Sequence, residues 1–169
     1  HLATAKQSMV QELPFTTQFL DSVLTFLNLY RKASANFPVL ALHQFKDMIR
    51  SQINPLASDD HFKQLVQQLE FMGEIVFLRA TSLSIDLIVL NAKWLNCDIL
   101  GKLLLLLVNS KTATTGAHRP NLSQLMGIYS IDEFQEEFPD VDALDLLQLL
   151  ESMSLCVQND RSGDIEYEF

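Results

Sequence analysis

Apolar residues along this chain switch between two repeats, and each switch marks an element. From Leu13 to Tyr30, Phe19, Val23, Phe26, Leu27 and Tyr30 recur at helical spacing, with Pro14 tolerated in a first turn and Asn36-Phe37-Pro38 closing the segment. Phe37 to Leu42 reads as a short connector. Leu42, Phe45, Met48 and Ile49 then carry a brief helix that Asn54-Pro55 ends. Ser58 caps the next helix, Asp59 and Asp60 place negative charge at its positive end, and Phe62, Leu65, Val66, Leu69 and Met72 form its stripe. Gly73 follows the last turn, where a left-handed residue is needed. After it the period changes: Glu74 to Leu78 and Asp86 to Leu90 predict two strands around the loop Arg79 to Ser84. Asn91 caps a further helix from Ala92 to about Leu107, and Lys111 to Pro120 reads as a loop.

The same order then recurs. Ile131, Phe134 and Phe138 mark a short helix after Tyr129-Ser130, and Val141 to Met153 marks a second, with Leu144, Leu147 and Leu150 among its apolar positions. Ser154 to Val157 leads into the turn-rich Asn159 to Gly163, and Asp164 to Phe169 alternates Ile165, Tyr167 and Phe169 on one face. Leu65, Leu69 and Met72 fall opposite Leu146, Leu150 and Met153 when the halves are overlaid. Two short helices followed by a hairpin is the order of a winged-helix module. The expected fold is therefore α+β and mostly α, with tandem winged-helix units, two small antiparallel hairpins and an N-terminal amphipathic helix. Residues 1–36 form that helix, leading from a preceding domain; 37–110 form the first unit with its trailing helix; 111–169 form the second.

Composition narrows the function. The chain has 169 residues, is 48% hydrophobic and carries 5 Gly and 5 Pro, so it can bury a core. The longest apolar run, Leu103 to Val108, is far short of the roughly 20 residues that cross a bilayer. His1 to Val10 lacks the charged start, apolar stretch and cleavage site of a signal peptide. The absent initiator Met and the stop at Phe169 inside a strand pattern suggest a fragment of a longer protein. Cys97 and Cys156 are too few for a disulfide framework, which fits a reducing cytosol.

Charge argues against nucleic acid. The net charge is −9, from 12 Lys and Arg against 21 Asp and Glu. Winged helices that read DNA do so with a second helix rich in basic and amide side chains. Here Asp59, Asp60 and Glu70 outnumber Lys63 on the first such helix, and Asp132, Glu133, Glu136, Glu137, Asp140, Asp142 and Asp145 precede or line the second without a basic residue. The acidic run reads as a solvated face, or as a dock for a basic partner. A nucleic-acid-binding tandem winged-helix protein is the rival class.

Catalytic chemistry finds no motif. His1, His43, His61 and His118 form no i, i+4 ligand pair, and Gly101-Lys102 lacks the other residues of a phosphate loop. No catalytic, cofactor-binding or metal-ligating residue is therefore expected within this chain. Asn121-Leu122-Ser123 matches a glycosylation sequon only by chance-level pattern. Cys97, on a helix face beside Trp94 and Leu100, reads as a small buried hydrophobe, and Trp94 as a core anchor. The run Leu103 to Leu107 makes a helix apolar all round, which must be covered on more than one side.

These residues also carry a resemblance. Gly73-Glu74-Ile75, the apolar hairpin, Leu90-Asn91-Ala92-Lys93-Trp94-Leu95 and Ile99-Leu100-Gly101-Lys102-Leu103-Leu104 resemble the first half of the COR domain of ROCO proteins. Asn54-Pro55-Leu56-Ala57-Ser58, Gln67-Gln68-Leu69 and Leu146 to Met153 are similar to the death-associated protein kinase branch. The resemblance spans Phe37 to Phe169; Ala92 stands where the family usually has Pro, and a good helix former in a first turn does the assignment little harm.

The resemblance implies a non-catalytic scaffold that packs on a Ras-like Roc GTPase domain of the same chain and couples it to regulation or dimerisation. The parent would be a serine/threonine kinase linked to apoptosis, cytoplasmic and cytoskeleton-associated, with its catalytic domain elsewhere. Trp94, Leu95, Leu100, Leu103, Leu104, Leu106 and Leu107 are then the candidate interface and family-motif residues. No cofactor, nucleic acid or membrane span is implied; a homodimer is compatible.

Overall fold

The computed structural model describes residues 17–79, 85–112, 127–161 and 164–169. Pro14, His1, His118, the sequon at Asn121, most of the two predicted loops and Ser162-Gly163 lie outside them. The described residues are mixed α and β and mostly helical, in the order α1 (Thr17–Ala33), β1 (Val39–Ala41), α2 (Leu42–Gln52), α3 (Asp59–Phe71), β2 (Val76–Leu78), β3 (Leu87–Val89), a π-helix (Trp94–Gly101), α4 (Lys102–Thr112), β4 (Ile128–Ser130), α5 (Ile131–Glu137), α6 (Ala143–Ser152), β5 (Val157–Arg161) and β6 (Asp164–Glu168). The chain divides into two compact units, residues up to 79 with 85–92, and residues 93–169 with 80–84. This division differs from boundaries at residues 36 and 110. Val23, Phe26 and Leu27 of α1 sit in the first unit's core, and the trailing helix groups with the second unit.

Each unit holds a three-stranded antiparallel sheet where the sequence predicts a two-stranded hairpin. The orders are β1-β3-β2 and β4-β6-β5, so the extra strand in each is the one that enters the unit. In the first sheet Leu40 faces Ile88; in the second Tyr129 faces Tyr167. A three-residue strand is too short to show alternation, which is why Val39–Ala41 reads as a connector. The ladder continues beyond it, with Leu90 N–H donating to the Pro38 carbonyl and Leu42 N–H to the Asp86 carbonyl, both at 2.8 Å. The second hairpin also runs further than predicted. Asn159, Asp160 and Arg161 pair with Glu166, Ile165 and Asp164, so residues that read as turn formers are drawn into the ladder.

The first core is built from one face of each helix. Val23, Phe26 and Leu27 of α1, Phe45 and Ile49 of α2, and Phe62, Leu65, Val66 and Leu69 of α3 are buried together with Leu40, Ile75, Ile88 and Leu90. Their spacing is the i, i+3, i+4 pattern of helices with one apolar stripe. The sequence gives no sign of what fastens α1 to the sheet. The Arg31 guanidinium reaches the Glu74 carboxylate at 2.8 Å and its carbonyl at 2.5 Å, the Asn28 side-chain oxygen at 3.1 Å, and the Leu90 carbonyl. One side chain thus holds the last turn of α1 to the chain entering β2 and to the chain leaving β3. Its planar fork suits that task better than an ammonium would.

The second core is more aromatic. The Phe134 ring lies 4.8 Å from Phe138 and stacks 5.6 Å from Phe169, while Tyr129 meets Phe134 and Phe169 edge-on. Ser130 caps α5 in a reciprocal box: its hydroxyl accepts from Glu133 N–H at 3.2 Å and the Glu133 carboxylate accepts from Ser130 N–H at 3.0 Å. Gln135 donates to the Phe138 and Val141 carbonyls and accepts from Ala143 N–H, fixing the α5–α6 turn. Asp142 caps α6 through Leu144 and Asp145 N–H.

The repeat is visible in detail at the helix ends. Glu74 N–H donates back to the Leu69 carbonyl at 2.9 Å, and Leu155 N–H to the Leu150 carbonyl at 3.0 Å, the six-to-one bond of a Schellman turn. Gly73 supplies the left-handed residue of the first, φ +73°. Ser154 supplies it in the second, φ +58°, where a side chain carries a steric cost. Ser154→Gly is expected to raise unfolding stability by about 0.5–1 kcal/mol and Gly73→Ala to lower it by about 1 kcal/mol, as read from urea midpoints.

Two further outcomes follow from these contacts. Arg31→Met leaves the half-buried Glu74 carboxylate and the Leu90 carbonyl without their shared donor, and should cost about 2–3 kcal/mol in the same assay. Burial, with a smaller push from Glu151, raises the Cys156 thiol from 9.0 to about 12; burial also raises the Tyr129 and Tyr167 hydroxyls. The folded chain therefore holds these protons more tightly than the unfolded chain. That stability is intact below the unfolded thiol's pKa and is lost as pH climbs toward the folded value. Between about pH 8.5 and about pH 11 the wild type should lose on the order of 2 kcal/mol, and Cys156→Val should lose less.

Candidate interaction surfaces

The seven residues singled out from the sequence do not form one surface. Trp94, Leu95 and Leu103 are buried, Leu100, Leu106 and Leu107 are half-buried, and Leu104 is 62% exposed. Trp94 is therefore placed as a core residue. Leu105 and Val108, which the sequence did not single out as candidates, are 63% and 57% exposed. Leu104, Leu105 and Val108 lie at i, i+1 and i+4, so α4 carries a contiguous apolar strip in water. The leucine run was expected to be covered on more than one side with some members left to face a partner: Leu103 is buried, Leu106 and Leu107 are half-buried, and Leu104 and Leu105 are the exposed members.

The reason lies in the turn before it. Trp94–Gly101 is wound as a π-helix, whose i→i+5 bonding puts more residues in each turn than an α-helix does. Trp94, Leu95 and Ile99 are the residues it buries. Cys97 is carried off the buried side: it is exposed, contrary to its reading as a buried hydrophobe, while Cys156 is the buried thiol. Periodicity measured at α spacing could not have shown this, because the sequence has no distinct mark for a π turn.

Within the second unit the first turn of α4 is tied to α5. The Lys102 ammonium lies 4.8 Å from the Phe138 ring centre and donates to the Glu137 carbonyl, at the negative end of α5. Gly127, φ +77°, sits where an added Cβ would come within 3.2 Å of the Phe169 carbonyl oxygen.

The first unit has a second feature that sequence reasoning missed. A cavity of about 150 Å³ opens between α2, α3 and β2, with Leu42, Phe62, Val66 and Phe77 as its apolar lining. Lys46, Lys63 and Arg79 stand at its edge, with Asp59 and Glu70. Asp59 is occupied: it receives Lys46 at 2.9 Å and Arg50 at 3.2 Å, and the hydrogen bond from Lys46 holds its carboxyl below the ordinary 3.8. Glu70 accepts from Phe77 N–H at 3.1 Å. Arg50 lies over the Phe62 ring at 5.0 Å and Arg79 beside the Phe77 ring at 5.9 Å. Net acidity hides such a patch, since its cations come from three separate elements.

Among the described residues no three His, Cys, Asp or Glu side chains converge as a metal site, every buried side-chain polar atom has a partner, and no helix is long and apolar enough to cross a membrane. What the surfaces offer is binding through apolar strips and charge.

No family model matches the chain. A comparison with curated proteins finds the death-associated protein kinase dapk-1 of Caenorhabditis elegans, 36% identical over 168 residues. That match takes in 98% of this chain but only 11% of the relative. The chain is thus similar, almost end to end, to a small segment of a death-associated protein kinase.

Proposed function

We propose that this chain is the first half of a COR domain in a ROCO-type, death-associated protein kinase, and that it acts as a non-catalytic scaffold holding a Roc GTPase-like domain of the same protein. The single observation that carries the reading is the strip Leu104, Leu105 and Val108, a greasy face on a helix anchored at Lys102. The similarity to a kinase segment supports the family, and the motif around Trp94 supports the COR assignment. The recurrent order of strand, two helices and hairpin supports tandem winged-helix units. In this proposal the second unit moves with Roc as a rigid body, in the cytoplasm, and catalysis lies elsewhere in the parent.

Nucleic-acid binding remains the weaker reading. Asp142 capping α6 and Asp145 in its first turn, and Asp59 and Asp60 at the start of α3, would each face phosphate unfavourably.

Sedimentation of the 169-residue chain with the Roc domain of its parent, in guanosine diphosphate and in a non-hydrolysable triphosphate analogue, tests the proposal. A complex is expected in at least one nucleotide state, and Leu104→Ser with Leu105→Ser should weaken it by about tenfold or more. No complex in any state, or a complex indifferent to both changes, would overturn it.

A further inference from the structure

We infer that the cavity between α2, α3 and β2 is a docking site for a protein segment bearing one bulky apolar side chain flanked by carboxylates. This stands apart from the Roc proposal, since it uses the first unit and none of α4.

The cavity's size sets the anchor. About 150 Å³ lined by Leu42, Phe62, Val66 and Phe77 is the volume of an apolar hole that accepts benzene, so it takes one leucine or phenylalanine side chain. Phe77 is only half-buried, leaving ring surface at the mouth for such an anchor to cover.

Charge sets the flanks. The edge carries three cations, Lys46, Lys63 and Arg79, against two carboxylates; Asp59 is paired with Lys46, and Glu70, still charged, accepts from the Phe77 N–H. Lys63 and Arg79 are the cations left over: both are exposed, and neither has an anionic partner among the described residues. On a chain of net charge −9, two uncommitted cations beside one apolar hole are complementary to an acidic segment. They are poorly placed for a polyphosphate. A run of phosphates has no apolar side chain to fill the hole beside them.

The geometry also assigns different tasks to the two cations. Arg79, beside the Phe77 ring, presents a planar fork that a carboxylate meets with two bonds; Lys63, on α3 four residues before Gln67, offers a point charge with an amide donor one turn away.

The test is fluorescence anisotropy of the full 169-residue chain with a fluorescein-labelled dodecapeptide of Asp and Glu around a central Leu-Phe pair. At about 50 mM salt the dissociation constant should fall below about 100 μM, and it should rise severalfold at about 500 mM. Lys63→Glu and Arg79→Glu should each weaken binding by about tenfold, as should Ser-Ser in place of the Leu-Phe pair. Both positions are exposed, and circular dichroism of each variant checks that it is folded. Binding weaker than about 1 mM, binding that ignores both reversals, or tighter binding of a labelled 12-base-pair duplex than of the peptide would overturn the inference.

Discussion

In both units the strand made last is the strand that lies in the middle. β3 enters between β1 and β2, and β6 between β4 and β5, so neither sheet is complete until the end of its unit has been threaded home. Everything else in a unit depends on that insertion. Ile88 and Val89 of β3 are fully buried, and the helices of the first unit close over the core that contains Ile88. Tyr167 takes the corresponding place in β6. A strand covered on both edges satisfies its backbone fully, and in the first sheet the two edge strands are only three residues long, which leaves little open edge.

Arg31 makes the same insertion matter to α1. Its Nε donates to the carbonyl of Leu90, the residue that follows β3, and its Nη2 to Glu74, which precedes β2. The helix is thereby fastened to the two neighbouring strands at one end. Lys102 performs a comparable task in the second unit, joining the first turn of α4 to the Glu137 carbonyl that ends α5. Lys102 lies over the Phe138 ring with its head on that one oxygen, whereas the loss of Arg31 would leave several acceptors bare.

The helices and their buried faces were legible because the repeat of 3.6 is long and redundant: Phe62, Leu65, Val66 and Leu69 announce the inner side of α3 several times over. Caps were legible too, since Ser58 and Gly73 do at the two ends what their chemistry suggests. Three things were not. Val39–Ala41 and Ile128–Ser130 are too short to show alternation, so each sheet was expected one strand too small. The π-helix obeys a period that the eye does not look for, which misplaced Cys97 and hid the distinction among the five leucines. The cavity at Phe62 and Phe77 assembles cations from α2, α3 and the end of β2, and no contiguous stretch of sequence contains it.

A π turn amounts to an α-helix that has accommodated one additional residue, with the surplus expressed as rotation of everything downstream. For α4 that rotation is about 100°, the step between neighbouring residues on a helix. The pentaleucine stretch is nearly uniform in chemistry, so its composition cannot select which members meet solvent; the winding of Trp94–Gly101 makes the selection for it. Removing one residue there would leave the same oily helix aimed about a quarter-turn away, and the aim could change without altering a single leucine.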